Sequence, residues 1–450
     1  MAQISSRSLI QFLLSATGVF AGLTVDVDDA ASIKKAAAIV AEDLMSYYTG
    51  DIPGILPGPP PEGDYYWWTG GALWTSLLDY RSRTNDNQYD DKISEGLLFQ
   101  RGESDDYLPA NWTLSIGNDD QAIWAMAALL AAETGFTDPA ERNLKSWISL
   151  AQNVYNQESD PSRRVSNGSC EGALRWQIYR TNNGYNYIAT SASAAYANLG
   201  ARLSVWNGNN ETQAKSVEDT FDWLQDVNII DDKFNVFDGA MVPDCDSINK
   251  LQFSHNAALF LESAAVMYNS TNGDEKWKTL VDGLLKRTID VFFPDGVATE
   301  VSCELTKTTC TTDMTFYKFF LHRSLAATMR IAPYTESKIL PALKSSAAAA
   351  VTSCVGGKNG RMCGLDWSGN SDDLMNAGSQ MSVLSALLSL LPVEKLAKPG
   401  SETSGTTTPT PTDTASGQST TSTVPDNLGT HIGVSFVALL GALSASFVFN

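Results

Sequence analysis

Histidine is scarce in this chain of 450 residues, which holds three, at positions 255, 322 and 431. Neither a CxxC nor an HExxH spacing occurs, so the usual donor sets for structural or catalytic zinc are missing. No metal and no cofactor are expected. Positive charge is also in short supply. Lys and Arg number 31 against 51 Asp and Glu, a formal charge of -20, and a surface of that sign repels phosphate backbones and anionic lipid. Nucleic acid is excluded as a partner.

Apolar and aromatic residues are plentiful. Hydrophobic content is 43%, enough for a substantial buried core, and aromatics reach 10%, with 11 Trp and 15 Tyr. That level suits an interior of large side chains or a cleft whose rings stack on sugar faces. Both ends read as addresses. Arg7 precedes the apolar run Leu9 to Leu23, and Val19-Phe20-Ala21 offers the small residues a signal peptidase accepts, so residues 1–21 are expected to be cleaved. Residues 432–450 form an apolar tail that ends without a basic cluster. A polar spacer precedes it, with small residues Ser416, Gly417 and Ser419 before that, the order of a glycosylphosphatidylinositol (GPI) signal. An ordinary C-terminal membrane anchor is the competing reading. Either places the body outside the cytosol.

Two further features fit that compartment. Sequons stand at Asn111, Asn167, Asn210 and Asn269. The six cysteines are an even number; Cys303 with Cys310 and Cys354 with Cys363 would each staple a short loop, leaving Cys170 with Cys245, although other pairings are open.

Residues 393–431, rich in Thr, Ser, Pro and Gly, cannot bury a core and read as an extended, O-glycosylated stalk. The folded unit is 24–392. Apolar residues recur there at spacings of three and four in twelve segments: 33–48, 66–84, 89–100, 119–134, 139–157, 187–206, 211–225, 250–269, 274–292, 313–331, 335–354 and 376–391. Twelve helices with short connections predict an all-α fold, an (α/α)6 barrel of six antiparallel hairpins in which every hairpin has two neighbours. A monomer is expected. Even-numbered segments start with Gly, Ala, Ser and aromatics, as an inner ring needs, whereas odd ones such as Ile33-Lys34-Lys35-Ala36-Ala37 carry a solvated polar face.

Parallel inner helices bring their N-termini to one mouth. Trp67 and Trp68, Asn118 to Gln121, Asn186 and Tyr187, His255 and Asn256, and Asp313 with Lys318 all fall near the starts of even segments, and Asp238 lies in the turn before the eighth. Asp119 and Asp120 are the candidate catalytic pair. Glycoside cleavage needs one carboxylate to attack or stabilise the anomeric carbon and a second, held protonated, to donate to the leaving oxygen. Adjacent helical residues point about 100° apart, which lets the two address opposite sides of one bond, and mutual repulsion raises one pKa. A purely structural reading competes: Asn118 as N-cap, Gln121 completing a capping box, and the acids complementing the helix dipole.

The block Phe99-Gln100-Arg101-Gly102, Asp106 to Asn111 and Gly117-Asn118-Asp119-Asp120-Gln121 strongly resembles glycoside hydrolase family 76, in its fungal cell-wall mannan endo-1,6-alpha-mannosidase branch. Tyr65 to Trp68, Gly184 to Tyr187, Asp238-Gly239-Ala240, Ile248 to Ser254, Met267-Tyr268-Asn269 and Gly378 to Met381 extend the likeness over about 30–392. The resemblance implies an (α/α)6 barrel and retaining action on alpha-1,6-mannosides, with Asp119 as nucleophile and Asp120 as acid/base. Trp67, Trp68, Asn118, Gln121, Asn186, Tyr187, Asp238, His255, Asn256, Asp313 and Lys318 are the candidate substrate contacts. It also implies an alpha-1,6-mannan or GPI-glycan donor and a beta-glucan acceptor. Ile188 to Ala195 and His255 to Ala258 depart from the family pattern, and on them rests a second reading: a glycan-binding wall protein on the same fold with little or no turnover.

Overall fold

The computed structural model describes residues 22–58, 63–141, 144–305, 310–369, 374–393 and 396. The leader 1–21, the tail 432–450 and, except for residues 393 and 396, the stalk lie outside the described residues. Contacts divide the chain into 1–404 and 405–450, and the second unit is likewise outside them.

Twelve α-helices are present among the described residues: α1 (Ala30–Met45), α2 (Trp68–Thr84), α3 (Asp90–Phe99), α4 (Asn118–Glu133), α5 (Trp147–Glu158), α6 (Thr190–Trp206), α7 (Glu211–Asp226), α8 (Ser254–Ser270), α9 (Glu275–Phe292), α10 (Tyr317–Ile331), α11 (Glu336–Thr352) and α12 (Ala377–Leu388). The even helices form a closed inner ring, α2 on α4, then α6, α8, α10 and α12, which returns to α2. Burial separates the two rings. In α8 every residue from Ser254 to Met267 is buried, as a helix with neighbours all round requires. In α7 only Gln213, Val217, Phe221 and Leu224 are buried, a single stripe on one face. The fold is the (α/α)6 barrel that the periodicity predicts.

Glycines let the ring close. A Cβ on Gly70 of α2 would lie 2.4 Å from the Gly54 carbonyl oxygen and 2.8 Å from the Trp124 ring of α4. One on Gly378 of α12 would lie 2.1 Å from Thr315 Oγ1 and 2.6 Å from the Phe316 ring, just before α10.

Several helices start later than the periodicity suggests. The segment expected from 139 begins at Trp147, whose backbone N–H is capped by Asp138 at 2.9 Å after an intervening loop. Residues 187–189 are a strand: β1 (Tyr187–Ala189), β2 (Gly239–Met241) and β3 (Ile248–Asn249) form a small antiparallel sheet with β2 central. Asn186 and Tyr187 therefore precede α6 rather than open it. The helix expected from 250 starts at Ser254, whose N–H and hydroxyl both donate to Glu300 Oε2. Asp313–Phe316 is a 3-10 turn leading into α10. A second hairpin, β4 (Cys354–Gly356) with β5 (Met362–Cys363), follows α11.

The disulfides are Cys170–Cys245, Cys303–Cys310 and Cys354–Cys363, the arrangement that stapling two short loops predicts. Asn111, Asn167, Asn210 and Asn269 are all exposed.

Candidate active site

The starts of α2, α4, α6, α8 and α10 meet at one mouth. Trp68, opening α2, donates from Nε1 to Asp313 Oδ1 at 3.1 Å and packs against Phe316. His255 at the start of α8 stacks on Tyr317 of α10, ring centroids 3.9 Å apart. Asp119 and Asp120 open α4, and Ser191 in the first turn of α6 donates to Asp119 Oδ2 at 2.6 Å. Through-space charge links the acids: Asp119 and Asp313 both act on Asp120, and Asp119 acts on Asp313.

The cap of α4 differs from the sequence expectation. Gly117 is the N-cap and Asn118 the first helical residue. Asp120, not Gln121, reaches back, its Oδ2 accepting the Gly117 N–H at 2.6 Å. The reason is that Asn118 and Gln121 have other partners: Asn118 donates to the Arg175 carbonyl and accepts from Arg163, while Gln121 donates to the Asp106 carbonyl and to Gln157. These two buried amides brace the floor behind the acids.

Asp119 and Asp120 occupy unlike surroundings although they are neighbours. Asp119 accepts from Ser191 at Oδ2 and, at Oδ1, from Trp176 Nε1 at 3.1 Å and the Asp120 N–H at 3.0 Å. Burial lifts its pKa to about 6, and those donors hold it down against a larger rise. Asp120 has Gly117 as its single donor among the described residues. Burial first, then the charges of Asp119 and Asp313, push it well above the carboxylate range. Both side chains lie deep among protein atoms yet stay partly open to solvent. The arrangement can hold one carboxylate ionised and one protonated over a common range of pH, which is what a nucleophile and a proton donor require.

The other candidates divide by their partners. Tyr187 Oη donates to Asp238 Oδ2 at 2.6 Å, and Asn249 donates to the same oxygen; Asp238 directly precedes β2, whose Met241 is the register partner of Tyr187. Burial lifts the Asp313 pKa to about 6; the Trp68 donor opposes the rise and the Asp119 charge adds to it. His255 is buried, which lowers its pKa to about 3 and keeps it neutral. Asn256 is buried beside it with both amide atoms unpartnered among the described residues. Asn186 is exposed. Trp67 is buried, donating to Gln100 Oε1 at 2.8 Å and stacking on Trp124. Lys318 is fully buried, paired with Glu304 at 3.0 Å, donating to the Leu365 carbonyl at 2.6 Å and lying over the Trp367 ring.

Trp176, Ser191 and Tyr317 were not legible as site residues. Trp176 lies in an irregular loop, and Ser191 hides in a run of small residues that reads as helix packing. A doublet of acids opening a helix would direct a search for donors at the starts of its neighbours, which is where Ser191 sits.

The family model described as Glycosyl hydrolase family 76 matches residues 32–402. Mannan endo-1,6-alpha-mannosidase DCW1 of Saccharomyces cerevisiae is 36% identical, over 87% of this chain and 86% of that protein. The crystal structure of Dfg5 from Chaetomium thermophilum in complex with glucosamine has a TM-score of 0.80 and 45% identity, covering 85% of this chain and 95% of that one. An inactive variant of the alpha-1,6-mannanase of Salegentibacter sp., two aspartates changed to asparagine, in complex with alpha-1,6-mannotriose, shares the fold. Its TM-score is 0.63 at 15% identity, over 79% of this chain and 98% of that one.

Proposed function

This chain belongs to glycosyl hydrolase family 76, and from that premise we propose that it is a cell-surface endo-alpha-1,6-mannosidase or transglycosidase that works by a retaining mechanism. The observation that carries the reading is the unlike pair of adjacent acids: among the described residues Asp119 has three donors, and Asp120 has one donor and two negative neighbours. Ionised Asp119 attacks the anomeric carbon as the glycosidic C–O bond breaks, and Asp120 gives its proton to the departing oxygen. A glycosyl ester on Asp119 and a free sugar hydroxyl result. Asp120, now ionised, takes a proton from water or from an acceptor hydroxyl, whose oxygen attacks the anomeric carbon and releases Asp119. Hydrolysis and transfer differ only in this second step.

The donor in this reading is alpha-1,6-mannan or a GPI-glycan, and the acceptor a beta-glucan. The apolar run and small residues of 1–21 and the GPI-type tail support delivery to the outer face of the plasma membrane or the wall, held by a lipid anchor. Product analysis with an alpha-1,6-mannooligosaccharide, with and without a glucan acceptor, tests the proposal. Shortened mannosides indicate hydrolysis and lengthened products transfer; Asp119→Asn and Asp120→Asn should each abolish both. Binding of mannoside without any product over long incubation would overturn the catalytic reading in favour of a glycan-binding wall protein.

A further inference from the structure

The donors on Asp119 share an origin that the family match does not address. Trp176 and Ser191 are 15 residues apart in sequence, yet β1 ties both down. The Trp176 N–H donates to the Tyr187 carbonyl at 3.0 Å. On the other side of the strand, Thr190 follows Ala189 directly, and its N–H donates to the Asp238 carbonyl at 2.8 Å, which fixes the start of α6 and with it Ser191. The strand is itself held in register, Tyr187 opposite Met241 and Ala189 opposite Gly239, with the Tyr187 hydroxyl on Asp238. Asp120, by contrast, receives its N–H from Gly117, its own helix cap.

We propose that Ser191 and Trp176 are positioning residues, through which the small sheet clamps the Asp119 carboxylate in one orientation and keeps it ionised. This rests on the proposed nucleophile role. The groups that face Asp119 make such a clamp necessary. Asp120 stands beside it on α4, Asp313 on the turn before α10, buried Glu158 at the end of α5, and Tyr317 on α10; the Asp119 charge acts on all four, and Arg163 and Arg164 offset it only at Glu158. No cation donates a hydrogen bond to Asp119 among the described residues. Two neutral side-chain donors, from a loop and a helix start that the same small sheet holds, therefore join the Asp120 N–H in holding its charge, and a charge-assisted hydrogen bond is the stronger kind. Among the described residues no cation donates a hydrogen bond to Asp120 either, so none draws off its proton directly.

The test is Ser191→Ala, with Ser191→Thr as the hydroxyl-keeping partner and Trp176→Phe as the second arm. Loss of one donor to an ionised group corresponds to about a ten- to hundred-fold effect. We expect kcat to fall by that factor in Ser191→Ala with KM little changed, and the acid limb of the pH profile to move up because the ionised form has lost a partner. Ser191→Thr should restore both. The Asp119 carboxyl carbon, followed by NMR across pH in the full chain, should titrate at higher pH in Ser191→Ala and in Trp176→Phe than in the wild type. That readout does not depend on turnover, so it separates failure of the clamp from failure of the mannosidase reading. A folded Ser191→Ala variant whose Asp119 titrates as in the wild type overturns the proposal.

Discussion

Gly184 lies against the face of Trp176 so closely that a Cβ added to it would stand 2.2 Å from Trp176 Cε3 and 2.4 Å from Cζ3. Its φ of +89° belongs to the left-handed region that disfavours a side chain. Trp176 in turn gives Nε1 to Asp119. Gly184→Ala should therefore push the indole away from the carboxylate. We expect a loss of about 1–3 kcal/mol in stability from overpacking, and a fall in kcat larger than the stability change explains. Thermal unfolding and steady-state kinetics on one preparation check this; full activity in a destabilised variant would show that the indole is free to move without consequence.

Ring closure depends on a second glycine. Gly378 in the first turn of α12 faces Thr315 and Phe316, and a methyl group there meets the Thr315 hydroxyl at 2.1 Å. Phe316 touches both Tyr65 and Trp68, so the clash spreads to the α2 side of the mouth. Gly378→Ala should cost about 1–3 kcal/mol, whereas Gly208→Ala, where no atom lies within 4 Å of the added Cβ, should cost only what its positive φ imposes. Chemical denaturation of the two variants gives the comparison.

The barrel was readable because both rings write their burial into the sequence: α9 buries Trp277, Leu280, Val281, Leu284, Leu285, Thr288 and Phe292, a helical stripe without a break. The acid pair was readable because two carboxylates open a helix among aromatics. The strand Tyr187–Ala189 was not. Three residues offer too little alternation to separate from the start of α6, and their pairing with Gly239–Met241 is fixed across about fifty residues of chain. The cap of α4 was misplaced for a related reason, since Arg163 and the Arg175 carbonyl, which occupy Asn118, come from a distant loop. Lys318 read as a mouth residue by its position in α10, but Glu304 from the preceding loop sits on it.

The Cys170–Cys245 disulfide spans 75 residues and links the loop leading to Trp176 with the turn after β2. Cys303–Cys310 spans 7. Loop-closure entropy grows with span, and removing a native disulfide costs about 2–5 kcal/mol. The Cys170→Ser/Cys245→Ser double variant should lose more stability than Cys303→Ser/Cys310→Ser. It should also lose activity at temperatures where it is still folded, because the loop that carries Trp176 loses its covalent tie to the turn after β2 and is held there by hydrogen bonds alone. Unfolding curves and activity at matched folded fraction test the pair; equal activity in both variants would remove the disulfide from the support of the site.

Asp313 links stability to pH. Burial and the Asp119 charge raise its pKa from the ordinary 3.8 to about 6, so the folded chain holds this proton more tightly than the unfolded one. The resulting stabilisation is fully present below about pH 4 and is lost as pH rises through about 6. Above that, the folded state carries a charge it disfavours. Asp313→Asn keeps an oxygen for the Trp68 N–H and removes the charge. It should be more stable than wild type at pH 7.5, by at most about 3 kcal/mol, and equal to it near pH 4. Because the Asp313 charge also raises Asp120, the alkaline limb of activity should move to lower pH in the same variant. Unfolding at the two pH values and a pH–rate profile check both signs; a stability gain that is the same at pH 4 and pH 7.5 would mean that packing, not charge, is what the substitution changed.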